Sequence, residues 1–155
     1  MGYEIRRLKL KEWDMAMQLA WDTFLVYEAP EYEPEGVKHF HEFVKGIELK
    51  NMFALGNYFA WGAFDDDDVI VGILGIRTHG HISLLFVEPR LHHQGIATAL
   101  LNRAFKEALE EGIMEMTVFS SPYAVEFYHK IGFTDMDHEK CTDGIRYTPM
   151  TIELL

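Results

Sequence analysis

The segment His92-His93-Gln94-Gly95-Ile96-Ala97-Thr98 stands between an apolar run, Leu84-Leu85-Phe86-Val87, and a stretch with apolar or small residues at 96, 97, 100, 101, 104, 105 and 108. The run reads as a buried strand, stopped at Glu88-Pro89 because proline has no N–H to give to a ladder. The later spacing is helical. A strand therefore turns tightly into a helix at Gly95. The first turn of a helix leaves backbone donors without carbonyl partners. With the helix dipole, the N–H groups at positions 93–98 make an anion site suited to phosphate. Gly95 lets the backbone approach such a ligand closely, and Ala97 is small enough not to obstruct it. An ordinary tight turn shares this local pattern.

A second group of chemistry-bearing residues is Phe24, Tyr27, Glu28, Glu31, Tyr32 and Glu33. Aromatic faces and carboxylates together suit a cation; the bland alternative is core aromatics with solvated glutamates. Other candidates are weaker. His39/His41 and His79/His81 are pairs without a third ligand at familiar spacing. Asp65-Asp66-Asp67-Asp68 lacks the spaced ligands of a calcium loop and reads as a solvated hairpin tip. No metal is expected. Cys141 is the only cysteine and lies outside every motif, which excludes an internal disulfide and argues against a nucleophilic role.

The elements that must position these groups follow in order. Tyr3 to Leu8 reads as a first strand. From 11 to 28 the apolar residues Trp13, Met17, Ala20, Phe24 and Tyr27 mark an amphipathic helix. Pro34 opens a second helix through Val37, Phe40, Val44 and Ile47, closing before Asn51. Residues 58–64 and 69–78 read as strands, and Thr78-His79-Gly80-His81 turns into the central strand. After the Gly95 helix, Gly112 marks a stop and 114–119 a strand. Ser121 and Pro122 suit a helix start, with Gly132 at its end. Residues 133–139 and 146–154 read as two more strands, the last bulged or at an edge because of Pro149.

The 155 residues suit a single domain, 48% hydrophobic and carrying a net charge of −11. That charge disfavours nucleic acid, which demands a basic surface; it either mildly favours a cationic substrate through steering or serves solubility alone. No apolar run approaches the ~20 residues needed to span a bilayer, and residues 1–10 are too charged for a signal peptide. No membrane association and a cytoplasmic location are expected.

Two motifs together resemble a family. His92-His93-Gln94-Gly95-Ile96-Ala97 resembles the (Arg/Gln)-x-x-Gly-x-(Gly/Ala) pyrophosphate loop of the GNAT N-acetyltransferase superfamily, with His92 departing from the usual Arg or Gln. About 30 residues later Ser121, Ala124, Phe127, Tyr128, Gly132 and Phe133 resemble its Asn-x-x-Ala-x-x-Phe-Tyr-x-x-x-Gly-Phe element. The resemblance implies an α/β (α+β) fold: a mixed, mostly antiparallel sheet of about six to seven strands, with about four helices, splayed beside a bulge in the fourth strand.

It further implies acetyl-CoA as cosubstrate and direct acetyl transfer to the amine of a small molecule or peptide, with a homodimer left open. Leu85, Phe86 and Val87 would pair with the pantetheine arm. His92, His93, Gln94, Gly95, Ile96, Ala97 and Thr98 would hold the pyrophosphate, and Ser121 would contact CoA, cap its helix, or both. Tyr128 stands where the family's tyrosine protonates the departing thiolate, a task suited to a phenol of pKa ~10; as a residue it also reads as core. Phe24, Tyr27, Glu28 and Tyr32 fall in the acceptor-covering segment. His81 stands where a histone-acetylating branch carries its basic glutamate, and an imidazole of pKa ~6.5 suits that role. Period-two alternation would put it on one face with Ser83 and Leu85, up to any bulge; Glu28, Glu31 and Glu33 are rival bases. An acyl-CoA-binding module without turnover is the alternative, because fold does not fix function.

Overall fold

Side-chain hydrogen bonding ties off the aspartate turn. Asp65 accepts from the N–H groups of Asp67 and Val69, at 2.9 and 3.0 Å, and so closes a hairpin between β2 (Tyr58–Phe64) and β3 (Ile70–Arg77). The computed structural model describes residues 2–154. The other strands are β1 (Glu4–Arg7), β4 (His81–Val87), β5 (Glu115–Ser120), β6 (Thr134–Asp135), β7 (Lys140–Thr142) and β8 (Ile145–Glu153). The helices are α1 (Trp13–Tyr27), α2 (Pro34–Lys45), α3 (Ile47–Ala54), α4 (Ile96–Glu110) and α5 (Val125–Ile131).

The strands form one sheet in the order β1-β2-β3-β4-β5-β8-β6, with β7 pairing β8. Only β4 and β5 run parallel; every other pair is antiparallel. One face is packed by Trp13, Phe24, Phe64, Ile73 and Leu84 with the first three helices. The other is packed by Trp61, Leu74, Leu100, Met116 and Phe133 with α4 and α5. Each such side chain, fully buried, contributes about 1.5–3 kcal/mol.

The mixed, mostly antiparallel sheet is the one expected, and the differences are local. The single helix expected to close before Asn51 is two, because Gly46 takes an extended ψ of 164° between α2 and α3. Of the strand expected over 133–139 only the two residues of β6 form, and the short β7 follows beyond it. Residues Pro122–Ala124 form a 3-10 turn ahead of α5, and the Ser121 side chain makes no capping bond. Pro149 does not mark an edge, since β8 lies between β5 and β6. Its carbonyl accepts from Met136 N–H at 2.8 Å, so its backbone faces away from β5. The absent N–H therefore falls where β6 supplies only two residues and interrupts no β5 ladder.

Two irregularities at β4 shape the site. Its pairing with β3 passes from Gly75↔Leu84 to Ile76↔Ile82, which leaves Ser83 as the extra residue of a bulge. Beyond Ser83 the alternation is inverted, so Leu84 and Phe86 pack on the α1 side and Leu85 on the α4 side. Ser83 Oγ lies 2.6 Å from the Tyr58 hydroxyl, which reaches it across Gly75. A Cβ on Gly75 would lie 2.0 Å from that oxygen and 2.7 Å from the ring carbon bearing it. Tyr58 is 1% exposed and meets Trp13 edge-on, so the ring has nowhere to move. Gly75→Ala is expected to cost about 1–3 kcal/mol by overpacking, measured by urea denaturation. A variant as stable as the parent would show that the bulge is not pinned by Tyr58.

Candidate active site

β4 and β5 pair only at His81↔Thr117 and Ile82↔Val118. Past the bulge they part, and β4 keeps an open edge. Glu88 N–H donates to Val71 across the β3 side. Backbone direction alternates along a strand, so Leu85 and Val87 turn their N–H and C=O groups toward the opening. The Val87 carbonyl is already taken: His92 Nε2 lies 2.8 Å from it. A carbonyl only accepts, so that nitrogen carries the hydrogen; in the neutral ring Nδ1 accepts from the Tyr123 hydroxyl, 3.2 Å away. His92 also stacks on Tyr27 at 4.7 Å. The histidine that stands where the related loops carry Arg or Gln thus braces α1 against the loop.

The loop turns through two left-handed residues, His93 with φ 66° and Gly95 with φ 80°. The first α4 bond runs from Ala99 N–H to the Gly95 carbonyl at 2.9 Å. The N–H groups of Ile96, Ala97 and Thr98 therefore precede the helical ladder. Apart from Gly95 and its two chain neighbours, no heavy atom of the described residues lies within 4 Å of where a Gly95 Cβ would stand. Free donors, a helix dipole and open space together fit a diphosphate, and the open β4 edge fits an extended amide-bearing arm. An acyl-CoA therefore suits the residues present.

Both features open on one cavity of about 530 Å³ with four walls: α1 and its end, β4, the loop with α4, and the 3-10 turn with α5. Leu85, Phe86, Val87, His92, His93, Gly95, Ile96, Ala97, Thr98, Tyr128, Tyr27 and Glu28 all border it. A larger hollow, about 630 Å³, lies between the β3–β4 turn and the end of α4 and shares no lining residue with this cavity.

Tyr128 is buried, edge-on to Phe127 at 5.3 Å and to Phe133 at 5.2 Å. Burial first, and the Glu28 carboxylate second, hold its phenol well above the ordinary value of ~10, so it keeps its proton across the physiological range. Glu28 is half-buried as a residue because it borders open space. The walls nevertheless strip water from its carboxyl, and this desolvation pushes its pKa up to about 7. A long hydrogen bond from the Tyr32 hydroxyl, 3.4 Å, opposes the shift, and the charge of Glu31 adds to it.

Several expected site residues stand elsewhere. Phe24 is a core residue, stacked on Phe40 at 4.1 Å, and it supports the site only through Tyr32, which meets it edge-on at 5.3 Å. Tyr32 acts through its bond to Glu28. Gln94 points away from the cavity and accepts from the Tyr3 hydroxyl at 3.2 Å. Ser121 is buried outside the cavity wall. His81 does not border the cavity either. Its Nδ1 lies 2.8 Å from Thr117 Oγ1 and its ring meets Phe119 at 4.5 Å. Burial, then the charges of His79 and Arg77, bring its pKa down to about 4, well below the value near 6.5 that made it attractive as a base. The bulge also removes Leu85 from its face. Thr23 and Tyr123 border the cavity without having been foreseen. Thr23 lies one helical turn before Tyr27, a spacing that could have revealed it.

A sheet that parts around an open strand edge, with a helix N-terminus at one end and a phenol and a carboxyl in the cleft, is the build of an acyltransferase. The chain belongs to the GNAT acetyltransferase family: the model of the acetyltransferase (GNAT) domain matches residues 28–154. It is similar to an acetyltransferase of Agrobacterium fabrum, 37% identical over 73 residues, 45% of this chain and 53% of that protein; the chain thus spans about half the length of this curated relative. Among solved structures it is similar to a PaiA N-acetyltransferase from Thermoplasma acidophilum in complex with coenzyme A (TM-score 0.77, 25% identity, 99% of each chain). A GCN5-related N-acetyltransferase from Rhodopseudomonas palustris shares the fold (TM-score 0.78, 20% identity, 99% of this chain and 96% of that one). Among the described residues, no helix is long and apolar enough to cross a membrane.

Proposed function

We propose that the chain transfers an acetyl group from acetyl-CoA to a primary amine, directly and within a ternary complex. The observation that carries this reading is that one cavity joins the α4 N-terminus, the open edge of β4, a protonated phenol and a carboxyl that titrates near neutrality. The coenzyme A bound to the Thermoplasma relative supports it. Bound acetyl-CoA supplies the activated acyl thioester. The N–H groups of Ile96, Ala97 and Thr98 hold the pyrophosphate, with Gly95 giving access. Leu85, through N–H and C=O, and Val87, through N–H, hold the pantetheine arm.

An ammonium must lose a proton before it can attack. Ionised Glu28 attracts the cation and accepts that proton at a carboxylate oxygen. The nitrogen then bonds to the thioester carbonyl carbon, the C–S bond breaks, Tyr128 gives its hydroxyl proton to the departing sulfur, and the second proton that the nitrogen sheds in becoming an amide restores the phenol. The assay is acetyl-CoA with spermidine, glucosamine, glycine amide and a peptide with a free N-terminus, followed by release of free thiol. Release above hydrolysis with any of these is expected. Tight acetyl-CoA binding with no turnover of any amine would instead make the chain a binding module.

The cofactor half has its own test. Gly95→Asp places a carboxylate against the free N–H groups and a Cβ in the open space before them. It is expected to raise the Kd for CoA at least about tenfold in calorimetry, since an anion at a helix N-terminus now competes with phosphate. The melting transition stays cooperative. Unchanged CoA affinity would disprove the phosphate cradle.

A further inference from the structure

The β7–β8 turn meets the start of α2 backbone to backbone. Asp143 and Gly144 join Thr142 to its partner Ile145 with left-handed φ values of 53° and 78°, as a two-residue hairpin turn demands. The Gly144 carbonyl accepts from Glu33 N–H at 3.0 Å. Gly36, buried in the first turn of α2, lies against the same carbonyl. A Cβ on Gly36 would stand 2.6 Å from the Gly144 oxygen and 2.9 Å from its carbon. A Cβ on Gly144 would stand 2.7 Å from Glu33 Cβ and 3.0 Å from the Gly36 nitrogen. Glycine is unfavourable within a helix; what it permits at 36 is this close approach.

This seat holds a short connection that leads to the cavity. Glu33 follows Tyr32, whose hydroxyl donates to Glu28 Oε1 at 3.4 Å and whose ring meets Phe24 edge-on. Between Glu28 and Glu33 the backbone is tied to itself: Glu31 N–H donates to the Glu28 carbonyl and Tyr32 N–H to that of Ala29, both at 3.0 Å. Residues 28–33 therefore run as one piece from the carboxyl that borders the cavity to the hairpin. The other groups facing that carboxyl are Glu31, from the same connection, and the phenols of Tyr123 and Tyr128, from the opposite wall. Glu33, Gly36 and Gly144 do not border the cavity themselves.

We propose that Gly36 and Gly144 are positioning residues: their contact seats the α1–α2 connection and so holds Tyr32 against the Glu28 carboxyl, keeping water from the group that takes the amine's proton. This rests on the acetyl-transfer reading above and adds positioning residues to it. Desolvation is the largest influence on that carboxyl, ahead of the opposing Tyr32 bond. A connection that lifts away removes both, so the carboxyl then titrates lower.

Two variants break the seat in the full chain. Glu33→Pro removes the N–H that meets Gly144, and the φ of −67° at that position already suits proline; it is read against Glu33→Gln, which loses the same charge and keeps the N–H. Gly36→Ala, read against the parent, forces the two backbones apart. The Glu28 carboxyl is titrated by carbon NMR without substrates, its signal assigned by its absence in Glu28→Gln. Turnover is measured with whichever of spermidine, glucosamine and glycine amide the parent acetylates fastest. In both seat variants the titration is expected to fall from about 7 toward the ordinary 4.5, and amine kcat/KM to fall about ten- to a hundredfold, with acetyl-CoA affinity by calorimetry unchanged. Gly56→Ala is the control for lost stability alone: its φ is 80°, and beyond its chain neighbours its Cβ meets no heavy atom of the described residues within 4 Å. It should keep the parent's titration and kcat/KM. If Gly36→Ala does not fold, Glu33→Pro decides. A titration still near 7 in the seat variants, an unchanged amine kcat/KM, an equal loss of acetyl-CoA affinity, or the same shift in Gly56→Ala would each overturn the assignment. A parent that acetylates none of the amines fails the acetyl-transfer reading, while the titration, which needs no turnover, still decides whether the seat holds Tyr32 against Glu28.

Discussion

Tyr128→Phe is expected to lower kcat by about 10²- to 10⁴-fold, the range of a lost general acid, while acetyl-CoA affinity and stability stay near the parent's. The ring does the packing, between Phe127 and Phe133, and phenylalanine keeps the ring. What the substitution removes is one hydroxyl that borders the cavity and whose proton is not accepted by any of the described residues. Its raised pKa has two consequences. The proton is present at every physiological pH, so the tyrosine should add no alkaline limb below about pH 10. The acid is also weak, so its effect depends on a sulfur brought close to it, and the loss should appear in kcat rather than in binding. Stopped-flow release of thiol under saturating substrates measures this directly. Turnover at the parent's rate would return Tyr128 to a packing role.

Glu28→Gln is expected to lower kcat/KM for the amine by about 10²- to 10³-fold and to abolish the acidic limb of the pH profile. The parent's limb should lie near pH 7, where the carboxyl ionises. Below it Glu28 is protonated and can neither draw the cation nor take its proton. Stability supplies a second reading with a definite sign. The folded pKa is raised above the unfolded one, so burial of this carboxyl is tolerated at low pH and becomes unfavourable as pH rises through about 4.5 to 7. Glutamine escapes that cost. Glu28→Gln should therefore match the parent near pH 4 and exceed it at pH 8, by about 1–3 kcal/mol, in paired denaturation curves. His81→Gln is the control and should keep the limb near 7. If the limb vanishes in His81→Gln and persists in Glu28→Gln, the base is the histidine.

Some of this was open to reading along the chain because it is local. The strand-turn-helix around Gly95 depends on residues within a few positions of each other: a proline that stops a ladder, a glycine at φ 80° and a helical period. The aspartate hairpin is equally short-range and stands in the structure. The mixed, splayed sheet, which the family resemblance implied rather than any local pattern, stands as well.

The tertiary structure decided what depends on partners remote in sequence. Ser83 is a bulge because Gly75 and Tyr58 hold it, and neither its type nor its neighbours announce that; the bulge in turn inverted the face of Leu85 that a strict period of two would assign. Phe24 and Glu28 are four residues apart on and just past the same helix, yet one is core and the other borders the cavity. The difference arises because Phe40 covers the first while the cleft between α1 and α5 opens on the second. Periodicity says that a helix has a buried face; it does not say that part of this face is a wall of a cavity. The same holds for titration. An isolated glutamate and histidine would have made His81 the group nearest neutrality. Desolvation by surrounding walls moved Glu28 up to about 7 and His81 down to about 4. That energy belongs to atoms from several elements at once, so only the assembled fold could exchange the two.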